Sequence, residues 1–221
     1  MNSSISIMVQ ALPFLWSGLA ITIGVSVLVV VLSLIFGCAL GVLRVYGPDF
    51  LHPVVQTYCD VIRGIPVLVL IFFVFYGLPA IGVNLNNFVA AACALTLFST
   101  AQVAELVRGA LQSIHFGQME AGKAIGLTFT QRLFSVIFPQ AIRRFLPAWV
   151  NSVTDAVKGS SLVSLIGVVD LTQAVQQVIG RTYTALPLYL LATAFYFSIN
   201  YSLSAASRRL EGRLNFVNPR G

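Results

Sequence analysis

Charge is what this sequence lacks most. Only 9% of its 221 residues are charged, while 57% are hydrophobic; a soluble globular domain carries roughly a quarter charged residues. No charged residue precedes Arg44, and residues 64–104 hold none either. So little charge cannot clothe a water-soluble body of this size. Cysteine and histidine are also scarce, at three and two. Cys38, Cys59 and Cys93 lie in or beside apolar segments without close Cys/His spacing, so they read as small apolar residues, not disulfides or zinc ligands. His52 and His115 stand alone. No metal site and no catalytic residue is expected.

Catalytic signatures are missing too. Without a Gly-x-x-x-x-Gly-Lys-Ser/Thr run, the chain has no P-loop through which to hydrolyse ATP. Neither Gly-x-Ser-x-Gly nor His-Glu-x-x-His occurs, which counts against an intramembrane enzyme. Residues 1–10 lack a positive n-region, and the apolar run at 12–43 far exceeds a secretory signal's apolar stretch of about 7–15 residues. The net charge of +6 is spread between apolar segments, not gathered on one stripe, so nucleic acid is not an expected partner.

What is present is apolar length. A bilayer-spanning helix needs about 20 mostly apolar residues. The pattern predicts an all-α membrane protein, one transmembrane domain over 1–221, with five spans near 14–43, 57–77, 88–107, 146–169 and 186–206. Pro13 suits the first turn of the first span, where its missing N–H costs nothing. Gln56, Asp60 and Arg63 make the start of the second segment amphipathic, so it should lie at the interface before entering lipid near Ile65. Residues 170–181 read as a polar connection. Placing the tail in the cytoplasm puts Arg44, Arg63, Arg108, Lys123, Arg132, Arg143, Arg144, Arg208, Arg209, Arg213 and Arg220 inside. That is 11 of the 13 positive residues, with Arg181 outside and Lys158 within a span. The positive-inside rule then sets the N-terminus outside and the C-terminus in the cytoplasm.

Residues 108–144 form the inside loop, too charged to cross yet well patterned. Gly117 opens a short helical stretch with Met119, Ala121, Ala124 and Ile125 available for an apolar side, and Gly126 stops it. Thr128 and Gln131 have capping-box spacing, so a second helix starts there. Its stripe is Leu133, Phe134, Ile137 and Phe138, before Pro139 and Pro147 break or kink it. The expected product is helix, glycine turn, helix; the bland alternative is an amphipathic hairpin lying on the membrane.

Glu120-Ala121-Gly122, then Gly126, then Phe138-Pro139 resembles the EAA loop of ABC-importer permeases, with Gly122 in place of the second alanine and Phe138 in place of leucine. Arg63-Gly64-Ile65-Pro66, Tyr76-Gly77-Leu78-Pro79, Ala104-Glu105 with Arg108-Gly109, and Lys158-Gly159-Ser160-Ser161 extend the resemblance over nearly the whole chain. They are similar to the polar-amino-acid (histidine/glutamine/arginine type) branch. Gly159 departs from that branch, where a small polar or acidic residue is commoner. The resemblance implies a type I importer fold and a coupling loop in which Glu120, Ala121, Gly122, Gly126 and Pro139 dock an ATPase. It also implies a multi-pass protein of the bacterial inner membrane. The partners implied are an ABC ATPase dimer carrying ATP and magnesium, a second permease copy or sister chain, and an extracytoplasmic amino-acid-binding protein. No cofactor is implied in this chain itself.

Ionisable residues inside a membrane usually face a cavity or a partner. Asp155 and Lys158 stand i,i+3 within the fourth expected span, and Glu105 and Arg108 have the same spacing near the inner end of the third. Each pair reads either as a structural ion pair or as part of a substrate pathway, together with Gln102, Ser161 and Ser164. The competing function is a self-sufficient ion-coupled carrier or channel subunit. Such carriers often show internal repeats and more spans, and no internal repeat is visible. Five spans in one copy make half a pathway, so a dimer is expected.

Overall fold

A computed structural model describes residues 2–214, and every regular element among them is helical. Arg220, part of the expected basic tail, lies outside the described residues. The first helix, α1, runs Asn2–Tyr46, well beyond the expected 14–43. Pro13 is therefore inside α1, not in its first turn. Although apolar on every side, α1 buries a stripe at Ala11, Leu15, Leu19, Thr22, Val25, Val29 and Ser33, stepping by three and four residues as one face of a helix must.

Val25 and Val29 of that stripe meet α4, Asn87–Gln112, whose start is capped by Asn86 accepting from the Val89 N–H at 2.8 Å. Two glycines set the approach. A Cβ on Gly37 would stand 2.6 Å from the Val103 Cβ, and one on Gly41 equally close to the Val107 Cβ. Small residues at i and i+4 let transmembrane helices pack backbone to backbone, which is how α1 and α4 meet.

Between them, α2 (Leu51–Gly64) and α3 (Val67–Phe72) are separated at Ile65-Pro66. The segment expected to cross at 57–77 is not one straight helix: Leu51–Gly64 and Val67–Ile81 are bent by 103°. Pro66 lacks the N–H that would continue α2 and pushes Ile65 into extended backbone (ψ 130). Starting within the loop expected at 108–144, α7 runs Phe138–Gly159 and continues as a 3-10 turn to Ile166. Pro147 lies inside a continuous α7, so of the expected break or kink there the break does not occur. Residues 170–181, expected as a connection, belong largely to a helix, α8 (Leu171–Thr182), which buries Leu171, Ala174 and Val175 against Leu15 and Leu19 of α1. Finally α9 covers Ala185–Leu214, across the segment expected as the fifth span, but among the described residues it is not one of the helices that qualify as crossings by length and composition.

By length and composition, Ile5–Tyr46 and Asn87–Gln112 qualify as crossings by themselves. Two bent pairs qualify together: Leu51–Gly64 with Val67–Ile81, and Phe129–Ile166 with Leu171–Thr182 at 47°. The last bend follows Gly167, whose φ of +81 ends the 3-10 turn.

Candidate functional site

Glu105 sits on α4 facing the ends of α1 and α2, and three arginines converge on it. Arg44 of α1 pairs with one carboxylate oxygen. Arg108, one turn along α4, donates from Nη2 at 2.8 Å to the other. Arg63, at the last turn of α2, lies 3.6 Å away with its side chain 45% exposed. The expected Glu105–Arg108 pair is thus one part of a four-residue cluster. The carboxylate ties three helices together, and the local charge stays positive.

Arg63 and Glu105 also line a polar cavity of about 270 Å³, whose other walls include Gln102 of α4 and Asn151, Ser152 and Asp155 of α7. Asp155 accepts from Lys158 Nζ at 3.4 Å. Both side chains point away from this chain's own bundle, 65% and 60% exposed in the single chain. Lys158 borders a second groove of about 490 Å³ with Ser161, Thr172, Tyr196 and Asn200. The pair therefore stands on the ridge between the two spaces. Ser161 gives its hydroxyl to the Lys158 carbonyl at 2.7 Å, and Ser164 gives its own to Ser161 and is buried. Of the sequence-derived pathway residues, Gln102, Glu105 and Asp155 share the polar cavity. Lys158 and Ser161 share the groove, and Ser164 lines neither.

Three participants were not foreseen. Arg44 and Arg63 pair with Glu105 from other helices; the signal available was a lone carboxylate close to several basic residues at one membrane level. Asp170 is fully buried beside the groove. It caps α8 by accepting the Gln173 N–H at 2.9 Å and accepts the Tyr196 hydroxyl at 3.3 Å.

The loop expected at 108–144 is built from local rules. Helix α5 is Gly117–Ala124. It ends with Gly126 at φ +80, the Gly126 N–H donating to Lys123 and the Leu127 N–H to Gly122, 3.1 and 3.0 Å. This is the paired closure a left-handed residue permits. Thr128 then opens α6 (Phe129–Arg132): its hydroxyl accepts from the Gln131 N–H while the Gln131 side chain accepts from the Thr128 N–H. The chain continues as helix through Ile166, with the exposed Pro139 in the first turn of α7. Leu133 and Ile137 are buried, whereas Phe134 is exposed. Of the apolar side expected of α5, Met119 is partly buried against the cluster that holds Leu133 and Ile137, and the rest is uncovered. Glu120, Ala121, Ala124 and Ile125 are exposed, with Ile125 at 77%, and the buried residue of α5 is Gly122. Arg144 reaches back to the Ser113 carbonyl and secures the loop's base.

Residues 33–216 match the family described as binding-protein-dependent transport system inner membrane component. The chain is 40% identical to the "Probable glutamine ABC transporter permease protein GlnP" of Bacillus subtilis (strain 168), over 92% of this chain and 95% of the relative. It is 35% identical to the glutamine transport system permease protein GlnP of Escherichia coli (strain K12), over 94% and 95%. Among solved structures, the "Crystal structure of an amino acid ABC transporter with histidines" superposes with a TM-score of 0.87 at 33% identity, over 93% of this chain and 96% of that one. Family match and fold agree: the chain belongs to the inner-membrane components of binding-protein-dependent transport systems, as a permease of the ABC-importer type.

Proposed function

We propose that this permease passes a polar amino acid across the inner membrane, as one of a pair of permeases, when a separate ATPase dimer closes on ATP and magnesium. An extracytoplasmic binding protein delivers the substrate. The named specificities of its relatives, glutamine above all, support that substrate class. One observation carries the pathway: Asp155 and Lys158 are exposed on a membrane-spanning helix. A charge facing lipid at mid-membrane costs at least about 2.5–3.5 kcal/mol on insertion scales. This face therefore turns towards a second permease and a water-lined path, not towards acyl chains. A zwitterion carries one charge of each sign and can exchange partners with the pair, while Gln102 and Glu105 line the polar cavity beside it.

The same reading gives five crossings, α9 supplying the fifth, with the N-terminus outside and the 108–144 loop and C-terminus inside. The exposed Glu120, Ala121 and Ile125, with Gly126 shaping the turn and Pro139 starting the return helix, present an acidic and apolar face for the ATPase to grip. The test is reconstitution of this chain with the ATPase and binding protein that co-purify with it. ATP-dependent uptake of polar amino acids into proteoliposomes is expected. Uptake that instead follows an ion gradient without ATP would contradict the reading.

A further inference from the structure

Helix α5 and the start of α6 are each closed by their own local hydrogen bonds, at Gly126 and at Thr128 with Gln131. Neither closure fixes the angle between them. Met119 of α5 packs against the cluster that holds Leu133 and Ile137, and the side chain that hydrogen-bonds across from one helix to the other is Arg132. Its Nη1 donates to the Met119 carbonyl of α5, and its Nε donates to the Thr128 carbonyl ahead of α6, both at 3.4 Å. Its guanidinium lies 5.9 Å from the Phe129 ring centre. To reach Met119, the aliphatic stem passes directly over Gly122. A Cβ built there would stand 2.8 Å from the Arg132 Cγ and 3.1 Å from its Cδ. Alanine is the better helix former, so glycine at a buried mid-helix position calls for a reason, and the stem is that reason.

We propose that Arg132 is a positioning residue that clasps α5 onto α6, and that Gly122 is the recess this clasp requires. The pair sets the angle at which Glu120, Ala121 and Ile125 are presented, so the functional half of the proposal rests on reading this loop as the ATPase-docking element. Arg132 and Gly122 are one device, and substitutions at the two positions must not be additive.

The test is a double-mutant cycle in the permease–ATPase complex, with the three native cysteines replaced and spin labels at the exposed positions 118 and 130. Gly122→Ala is expected to shift the inter-label distance. It should also lower substrate carried per ATP about fivefold, an overpacking penalty of about 1 kcal/mol converted at about 1.4 kcal/mol per tenfold. Arg132→Ala alone should broaden the distance distribution. In the Arg132→Ala background, Gly122→Ala should change neither reading further. If Gly122→Ala blocks assembly, recovery of assembly on adding Arg132→Ala supports the clasp, and no recovery overturns it. Equal effects of Gly122→Ala in both backgrounds, or an unchanged distance in every variant, also overturn it. A distance that follows the cycle while transport per ATP stays constant leaves the clasp standing and removes the docking role instead.

Discussion

Arg44 near the end of α1 and Glu105 in the body of α4 form an ion pair with side chains only 12% and 15% exposed. Removing one partner of such a pair strands the other, at about 3–5 kcal/mol. Glu105→Gln, which leaves three arginines facing a neutral amide, is therefore expected to lower thermal stability strongly in detergent. Arg63→Gln, removing the exposed and most distant partner, should cost no more than about 1 kcal/mol. Equal melting temperatures for the two variants would contradict the hub.

The α1–α4 seam makes a second prediction. A Cβ on Gly41 would meet the Val107 side chain at 2.6 Å and the Ala104 carbonyl at 2.8 Å, whereas one on Gly24 meets nothing within 4 Å. Gly41→Ala should destabilise by about 1–3 kcal/mol through overpacking. Gly24→Ala should be neutral or stabilising by up to about 1 kcal/mol, the usual helical gain over glycine. Thermal unfolding of the two purified variants decides it, and matching shifts would refute the close seam.

Features encoded within a few residues were legible from sequence. The Thr128–Gln131 cap and the Gly126 stop depend on neighbours three or four positions apart, and both are present. Arg44 and Arg63 were missed as partners of Glu105 because that pairing crosses three helices, and spacing exposes only the i,i+3 partner, Arg108. Helix α8 was missed because Gln173, Gln176, Gln177 and Arg181 read as a polar link. Its signal was nonetheless there: Asp170 is a good N-cap, and Leu171, Ala174, Val175 and Val178 repeat at helical spacing. Pro147 does not break α7, since prolines are tolerated inside membrane helices when neighbours satisfy the freed backbone.

Gly126 adopts φ +80 between two helices. Valine there meets backbone strain of about 1–3 kcal/mol and should open the turn. Gly126→Val is expected to insert and assemble with its partners while hydrolysing ATP without proportionate transport. A variant that assembles and transports normally would show that the loop is not the coupling element.

Orientation is checked by labelling. Single cysteines at positions 84 and 132, in a background without Cys38, Cys59 and Cys93, should differ. Position 84 should react in intact cells, and position 132 only after permeabilisation. Reaction at position 132 from outside would overturn the proposed topology.

On the proposed function, the exposed Asp155–Lys158 pair meets the substrate instead of serving only as a brace. Asp155→Lys combined with Lys158→Asp keeps two opposite charges at i,i+3 on the same face but inverts the field along the path. The decisive measurement is amino-acid uptake by this double variant in proteoliposomes with a full complement of partners, compared with its assembly. Stable assembly with lost or altered uptake is the predicted result; near-normal uptake and selectivity would contradict it.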